Sequence, residues 1–428
     1  MNKRKSHKSS TRENYRPKAT NSIFHKSTLE NGIRVVTEQI PYVRSASIGF
    51  WVEVGTRDEW PQVNGVSHFI EHMLFKGTEK RTAAEIAQSI ENVGGHLNAF
   101  TSKEVTCYYA HVLDTDLPLA IDVLTDMLTH SIFDPEEISK EREVILDEIN
   151  SVEEVPEERV HDYFYQDLFD GHSLGFSTLG TVDSIRQLSR EQALDYMRQN
   201  YVRKRLVVAA CGNIEHEQIC KLIEKQFSEW VPEQPRKMMP PVPGPGKTNT
   251  RRERSKQTHI CLGSQAFSFS DPRKYAALVM NTLLGAGMGS RLFQTVREKY
   301  GLCYNIYSYL DFFHDSGIFC IYTSTDLDKS DLALDLIHQE LQQLQKEKIG
   351  AELLAATKSQ LSGSLVLGLE NTSSRMNRLA KMEIYLHKYY PIDDVIHGIE
   401  AVTEDEVLEV SRHLLAPEGL TTTIIKPL

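Results

Sequence analysis

Between Val66 and Lys76, apolar residues recur at helical spacing, and Val66, Ile70, Met73 and Leu74 load one side of a short helix. The Asn64-Gly65 turn signal opens this helix and Gly77 closes it. His68, Glu71, His72 and Phe75, at i, i+3, i+4 and i+7, share the other face. A second helix is expected from Asp134 to Glu153, where Asp134 suits the cap, Pro135 the first helical position, and Glu136 and Glu137 the positive helix end. Other segments read as strands, such as Arg205-Leu206-Val207-Val208-Ala209-Ala210 and Thr421-Thr422-Thr423-Ile424-Ile425. Strands alternate irregularly with long amphipathic helices, which predicts an α+β fold: an antiparallel-rich sheet with helices packed on one face.

The pattern occurs twice. Ser45-Ala46-Ser47-Ile48-Gly49 has a counterpart at Thr258-His259-Ile260-Cys261-Leu262-Gly263, with Gly49 and Gly263 214 residues apart. Asp116-Leu117-Pro118-Leu119-Ala120 matches Asp331-Leu332-Ala333-Leu334-Asp335 at an offset of 215. The helix start Ser189-Arg190-Glu191-Gln192, a capping box, recurs as Thr403-Glu404-Asp405-Glu406 at 214. A near-constant offset at three separate places indicates internal duplication. The Pro-, Gly- and charge-rich stretch 231–257 reads as a linker, giving a first domain at 23–230 and a second at 258–428.

A chain of 428 residues is too long for one ordinary core, which agrees with two domains. Its 40% hydrophobic and 25% charged residues are those of a soluble globular protein, and no apolar run approaches a membrane span, so no membrane role is expected. The six cysteines are scattered with no C-x-x-C pair and read as buried thiols of a reducing, cytoplasmic compartment. Residues 1–22 form a polar tail with seven Lys/Arg and one acid, expected to be disordered. The remaining body is acidic, at net −17, which argues against nucleic-acid binding.

Candidate chemistry concentrates at His68-Phe69-Ile70-Glu71-His72. Two imidazoles one turn apart can share a zinc ion, with Glu71 close enough to take the proton of a water that the ion polarises. The order H-x-x-E-H is the inverse of the H-E-x-x-H zinc-protease signature. Zinc needs a third protein ligand, and Glu141 and Glu148, two turns apart on the Asp134–Glu153 helix, are candidates for a ligand and for a residue that steadies one. Spacing does not say which is which. Adding 214 to His68, Glu71 and His72 gives Thr282, Gly285 and Ala286, so only the first copy keeps the site. Asn98, Ala99 and Phe100 read as an edge strand to which an extended peptide could pair. Gly285-Ala286-Gly287-Met288-Gly289-Ser290 lacks the G-K-[ST] of a phosphate loop and reads as a turn before a helix from Arg291 to Tyr300. Arg297 on that helix and Tyr304 beyond it are donors seven residues apart.

Four segments resemble the pitrilysin-type zinc metallopeptidases, in particular the branch of the mitochondrial processing peptidase and its bacterial homodimeric relatives. They are Asn31-Gly32-Ile33-Arg34-Val35-Val36, the stretch from Gly65 to Thr78 containing the histidines, Gly94-Gly95-His96-Leu97-Asn98-Ala99-Phe100-Thr101-Ser102, and Glu141-Arg142-Glu143-Val144-Ile145-Leu146-Asp147-Glu148. The resemblance implies that Glu148, 76 residues beyond His72, is the third zinc ligand and that Glu141 supports the site. It also implies one zinc ion per chain and two similar α/β-roll domains. Arg297 and Tyr304 would bind substrate and steady the oxyanion from the domain facing the zinc. The implied activity is endopeptidase cleavage of short or unfolded peptides in a chamber closed by two subunits, here a homodimer.

Overall fold

The structure, a computed structural model, describes residues 23–227, 236 and 238–428. The tail expected at 1–22 and linker residues 231–235 and 237 lie outside the described residues. The strands are β1 (Ile23–Thr28), β2 (Arg34–Gln39), β3 (Ser45–Val52), β4 (His96–Thr101), β5 (Thr106–Leu113), β6 (Leu206–Gly212), β7 (Thr248–Glu253), β8 (Thr258–Ala266), β9 (Cys303–Phe312), β10 (Gly317–Thr325) and β11 (Thr421–Pro427). They form two sheets, β1-β2-β6-β3-β5-β4 and β7-β11-β8-β10-β9. Each has one parallel pair, β2 with β6 and β7 with β11, and is otherwise antiparallel. The two orders are the same series of counterparts, apart from the additional β1. The all-apolar β6 and the nearly continuous β3 lie at the centre, buried along most of their length, whereas β4 alternates between exposed and half-buried positions at one edge.

The first half carries helices α1 (Val66–Leu74), α2 (Ala83–Glu91), α3 (Leu117–His130), α4 (Pro135–Glu153), α5 (Pro156–Leu168), α6 (Val182–Gln187), α7 (Arg190–Asn200) and α8 (His216–Gln226). The second carries α9 (Lys274–Gly285), α10 (Ser330–Lys346), α11 (Ala351–Gly368), α12 (Thr372–Leu386), α13 (Ile392–Ala401) and α14 (Glu404–Leu414). The expected helix from Arg291 to Tyr300 takes a π-helical form over Phe293–Lys299. The expected linker is corrected at one place: β7 lies inside 231–257 as an edge strand. Its Thr-Asn-Thr-Arg-Arg-Glu sequence has no apolar face; edge pairing, ion pairs of Arg251 with Asp167 (2.8 Å) and of Glu253 with Arg159 (3.2 Å), and a hydrogen bond from Tyr163 Oη to Glu253 (2.9 Å) hold it.

One helix crosses from each half to the other. Besides its own helices, the first sheet is covered by α12, whose Met376, Leu379, Ala380 and Ile384 pack on Val36, Trp51 and Val207. Reciprocally, α5 lays Val160 and Phe164 on Cys261, Ile318, Cys320 and Ile425 of the second sheet. A swap of two helices buries apolar area between the halves and couples them into one folding unit.

Helix α1 is fixed at both ends. Gly65 at its N-cap takes φ +92, and a Cβ there would meet Leu179 O at 2.7 Å. The buried Glu59 carboxyl receives Gly65 N at 2.7 Å, Ser67 N at 2.9 Å and Asn64 Nδ2 at 2.9 Å, acting as a cap supplied from outside the helix. Its C-terminal end falls at Leu74, two residues before the expected Lys76, with Phe75 closing the last turn. Asp134 caps α4 as expected, accepting from Glu136 N and Glu137 N at 2.8 and 3.3 Å.

Burial pushes the Glu59 carboxyl up to about 7, against hydrogen bonds from Asn64, Ser67 and Gly65 that lower it. Its folded value exceeds the unfolded one, so the stability it contributes is present below about 4.5 and lost as pH rises through about 7. The difference in unfolding free energy between wild type and Glu59→Gln, measured by denaturant unfolding at a series of pH values, should therefore move against wild type across this window by on the order of 3 kcal/mol. A difference independent of pH would contradict this account.

Candidate metal centre

On α1 the apolar side, Val66, Phe69, Ile70, Met73 and Leu74, is buried in the first core, and this fixes the rotation of the helix. His68, Glu71 and His72 are left half-buried on the other side. The imidazoles meet edge-on with centroids 4.5 Å apart. Helix α4 packs against α1 and brings Glu148 Oε2 to 3.8 Å from Nε2 of both His68 and His72. The three donor atoms all lie within 4.8 Å of one another.

One turn pair earlier on α4, Glu141 is buried and its Oε2 lies 3.0 Å from His72 Nδ1. A carboxylate accepts, so Nδ1 carries the proton and Nε2 keeps its lone pair toward Glu148. Lys76 Nζ holds the other Glu141 oxygen at 2.7 Å. Burial, with the neighbouring His72 adding to it, lowers His68 to about 4, so its ring is neutral at physiological pH. Two imidazoles and a carboxylate within reach of one point are the donor set of a catalytic zinc site, which keeps a further position open. The residues fit zinc.

Glu71 stands beside these donors without joining them. Thr101 Oγ1 donates to its Oε2 at 2.5 Å. Burial raises the Glu71 carboxyl, while Thr101 and His72 draw it back down, and the net displacement is upward. Its proton affinity is thus above that of a surface glutamate.

Thr101 ends β4, so this contact sets the edge strand next to α1. Asn98, Ala99 and Phe100 lie along it, with β5 as the neighbour on one side only, and Phe100 is exposed. Arg297 and Tyr304 are brought together elsewhere: the guanidinium lies 5.3 Å from the Tyr304 ring centroid, and Tyr304 is 81% exposed. Among the described residues no hydrogen bond or ion pair joins either to His68, Glu71, His72 or Glu148.

Three contributors escaped sequence reasoning. Thr101 sat unremarked at the end of the edge-strand segment, and Lys76 lies one turn beyond His72 at a spacing that could have flagged it. Glu59 gives no local signal, because its hydrogen bonds run to the start of a helix it does not belong to.

Residues 34–182 match the family model described as insulinase (peptidase family M16), and residues 187–361 match that of the peptidase M16 inactive domain. An uncharacterized zinc protease of Streptomyces coelicolor is 41% identical over 94% of this chain and 89% of its own length. One from Bacillus subtilis is 39% identical over 95% and 98%. The crystal structure of a protease from Helicobacter pylori superposes with a TM-score of 0.89 at 20% identity, covering 95% of this chain and 100% of the other. A structure titled peptidase M16 inactive domain, from Pseudomonas fluorescens, gives 0.88 at 18% identity, covering 95% and 98%. With identity near 40% sustained across nearly the whole of two such relatives, and with both family models matched in chain order, this chain belongs to peptidase family M16, the insulinase family.

Proposed function

We propose that this zinc metallopeptidase is an endopeptidase that hydrolyses short or unfolded peptides, with Glu71 as general base and a chamber closed by two copies of the chain. The observation that carries this reading is the convergence of His68, His72 and Glu148 on one point beside the half-buried Glu71 carboxyl, which takes no part in that convergence. A zinc ion held by these three residues, one per chain, would polarise water and the scissile carbonyl.

The remaining steps belong to side chains. Thr101 occupies Oε2 of Glu71 and leaves Oε1 to accept the proton of the attacking water. The raised proton affinity of Glu71 favours this transfer, and the same carboxyl then returns the proton to the leaving amine. Glu141 orients His72 through Nδ1, with Lys76 restraining Glu141. An extended substrate would pair with the open edge of β4 along Asn98, Ala99 and Phe100, next to Glu71. Arg297 and Tyr304, exposed as a pair, would donate to the oxyanion across the closed chamber, supplied by the partner copy.

Incubation with a mixed peptide library, with and without chelator, tests the activity: products should form only when metal is present. Glu71→Gln should keep zinc and lose roughly 10²–10⁴ in rate. His72→Ala should lose both zinc and activity, as read by metal analysis beside the peptide assay. A Glu71→Gln protein that cleaves at the wild-type rate would remove Glu71 from its role. Glu141→Gln should weaken zinc binding by about 10–100-fold in a competition titration while the fold persists by circular dichroism. Mixing Glu71→Gln and Arg297→Ala chains under subunit exchange should restore activity that neither shows alone, and a mixture as inactive as its parents would place the pair in the same chain as the zinc it serves.

A further inference from the structure

A second cluster of metal-ligating side chains lies where the halves meet. His161 comes from α5 of the first half, Cys261 from β8 and Cys320 from β10, and one donor atom of each lies within 4.8 Å of the others. Cys261 faces Tyr322 across the β8/β10 ladder and Cys320 is two residues before it, so the thiols are diagonal neighbours on the sheet face that α5 covers. Both thiols are fully buried. The His161 ring is held on both nitrogens, Nδ1 2.9 Å from Tyr309 Oη and Nε2 3.3 Å from Tyr307 Oη. Its Nδ1 is also 3.5 Å from Cys261 Sγ.

We propose that Cys261 Sγ, Cys320 Sγ and His161 Nδ1 form a second metal site, for a thiophilic divalent cation of the zinc class, distinct from the site on α1 and α4. Zinc–sulfur and zinc–nitrogen bonds of about 2.3 and 2.0–2.1 Å at a tetrahedral angle separate the two donors by about 3.5 Å. The Cys261 Sγ to His161 Nδ1 distance already has that value. Charge selects the ion. Around the donors stand Tyr307, Tyr309 and Tyr322, and in so apolar a pocket a dication with two thiolates is neutral, whereas a monovalent ion would leave a buried net charge. Binding releases two thiol protons to solvent, and the Nδ1 contact with Tyr309 gives way to the metal. Tyr307 Oη then accepts from Nε2–H, the support a ligating histidine needs. Because α5 belongs to one half and the strands to the other, the ion would fasten the halves at the crossing helix.

The test is a titration of metal-stripped, reduced, full-length protein with cobalt(II), read by absorption and by metal content. Wild type should bind two equivalents per chain, one of them accompanied by thiolate-to-cobalt charge-transfer absorption. The paired substitutions Cys261→Ser and Cys320→Ser should abolish that band and one equivalent. His72→Ala should lose the other equivalent and keep the band, which separates this site from the proposed catalytic one. His161→Gln should weaken cobalt binding at the band by 10-fold or more. Folded wild type without the band at saturating cobalt overturns the proposal even if the serine variants fail to fold, and so does a band that survives in them.

Discussion

Two histidines a turn apart are useful as ligands only if the helix that carries them cannot roll. The physical constraint behind the site is therefore the seating of α1. Val66, Phe69, Ile70, Met73 and Leu74 bury one side of nine residues, and rotation by a single position would drive His68 or Glu71 into that core. Glu59 closes the remaining freedom by taking the orphan N–H groups of Gly65 and Ser67. The price is a fully buried carboxyl, and its upward displacement toward 7 records that cost.

With α1 fixed, each ionisable group in the site has a distinct environment. His68 is kept neutral by burial, Glu141 gives His72 its tautomer, and Thr101 restrains Glu71 on one oxygen only. Glu148 reaches the histidines from α4 and remains partly exposed, so the point where the donors converge opens toward solvent. In the proposed mechanism this division would let neighbouring carboxyls on two packed helices take different tasks: Glu148 as donor, Glu141 as support and Glu71 as proton acceptor.

The duplicated half shows what the same fold does without the site. There α9 follows β8 as α1 follows β3, and the 214-residue offset sets Gly285 against Glu71. Strand β9 closes directly onto it: a Cβ on Gly285 would meet Ser308 Oγ at 2.3 Å. Where one copy has the Glu71 carboxyl, the other has the close approach of Ser308. Meanwhile the exchange of α5 and α12 makes each half part of the other's core, so the half that carries His68, His72 and Glu148 does not stand on its own packing alone.

How much was legible follows from the range of each interaction. The H-x-x-E-H spacing, the Asp134 cap and the capping boxes at Ser189 and Thr403 were readable because a helix repeats every 3.6 residues and caps act within one turn. The duplication was readable because it leaves a constant offset. Glu148 and Glu141 were both visible as candidates on one face of α4, but two turns of equal spacing give no direction; only the packing of α4 on α1 sets one against both Nε2 atoms and the other against His72 Nδ1. Strand β7 carries no apolar alternation, since an edge held by pairing and ion pairs needs none. The crossing of α5 and α12, and the meeting of His161 with Cys261 and Cys320, left no trace along the chain. Local periodicity is dictated by backbone geometry, which sequence carries directly, whereas contacts across 100 residues or more are chosen by how surfaces bury one another, and that choice is made only in three dimensions.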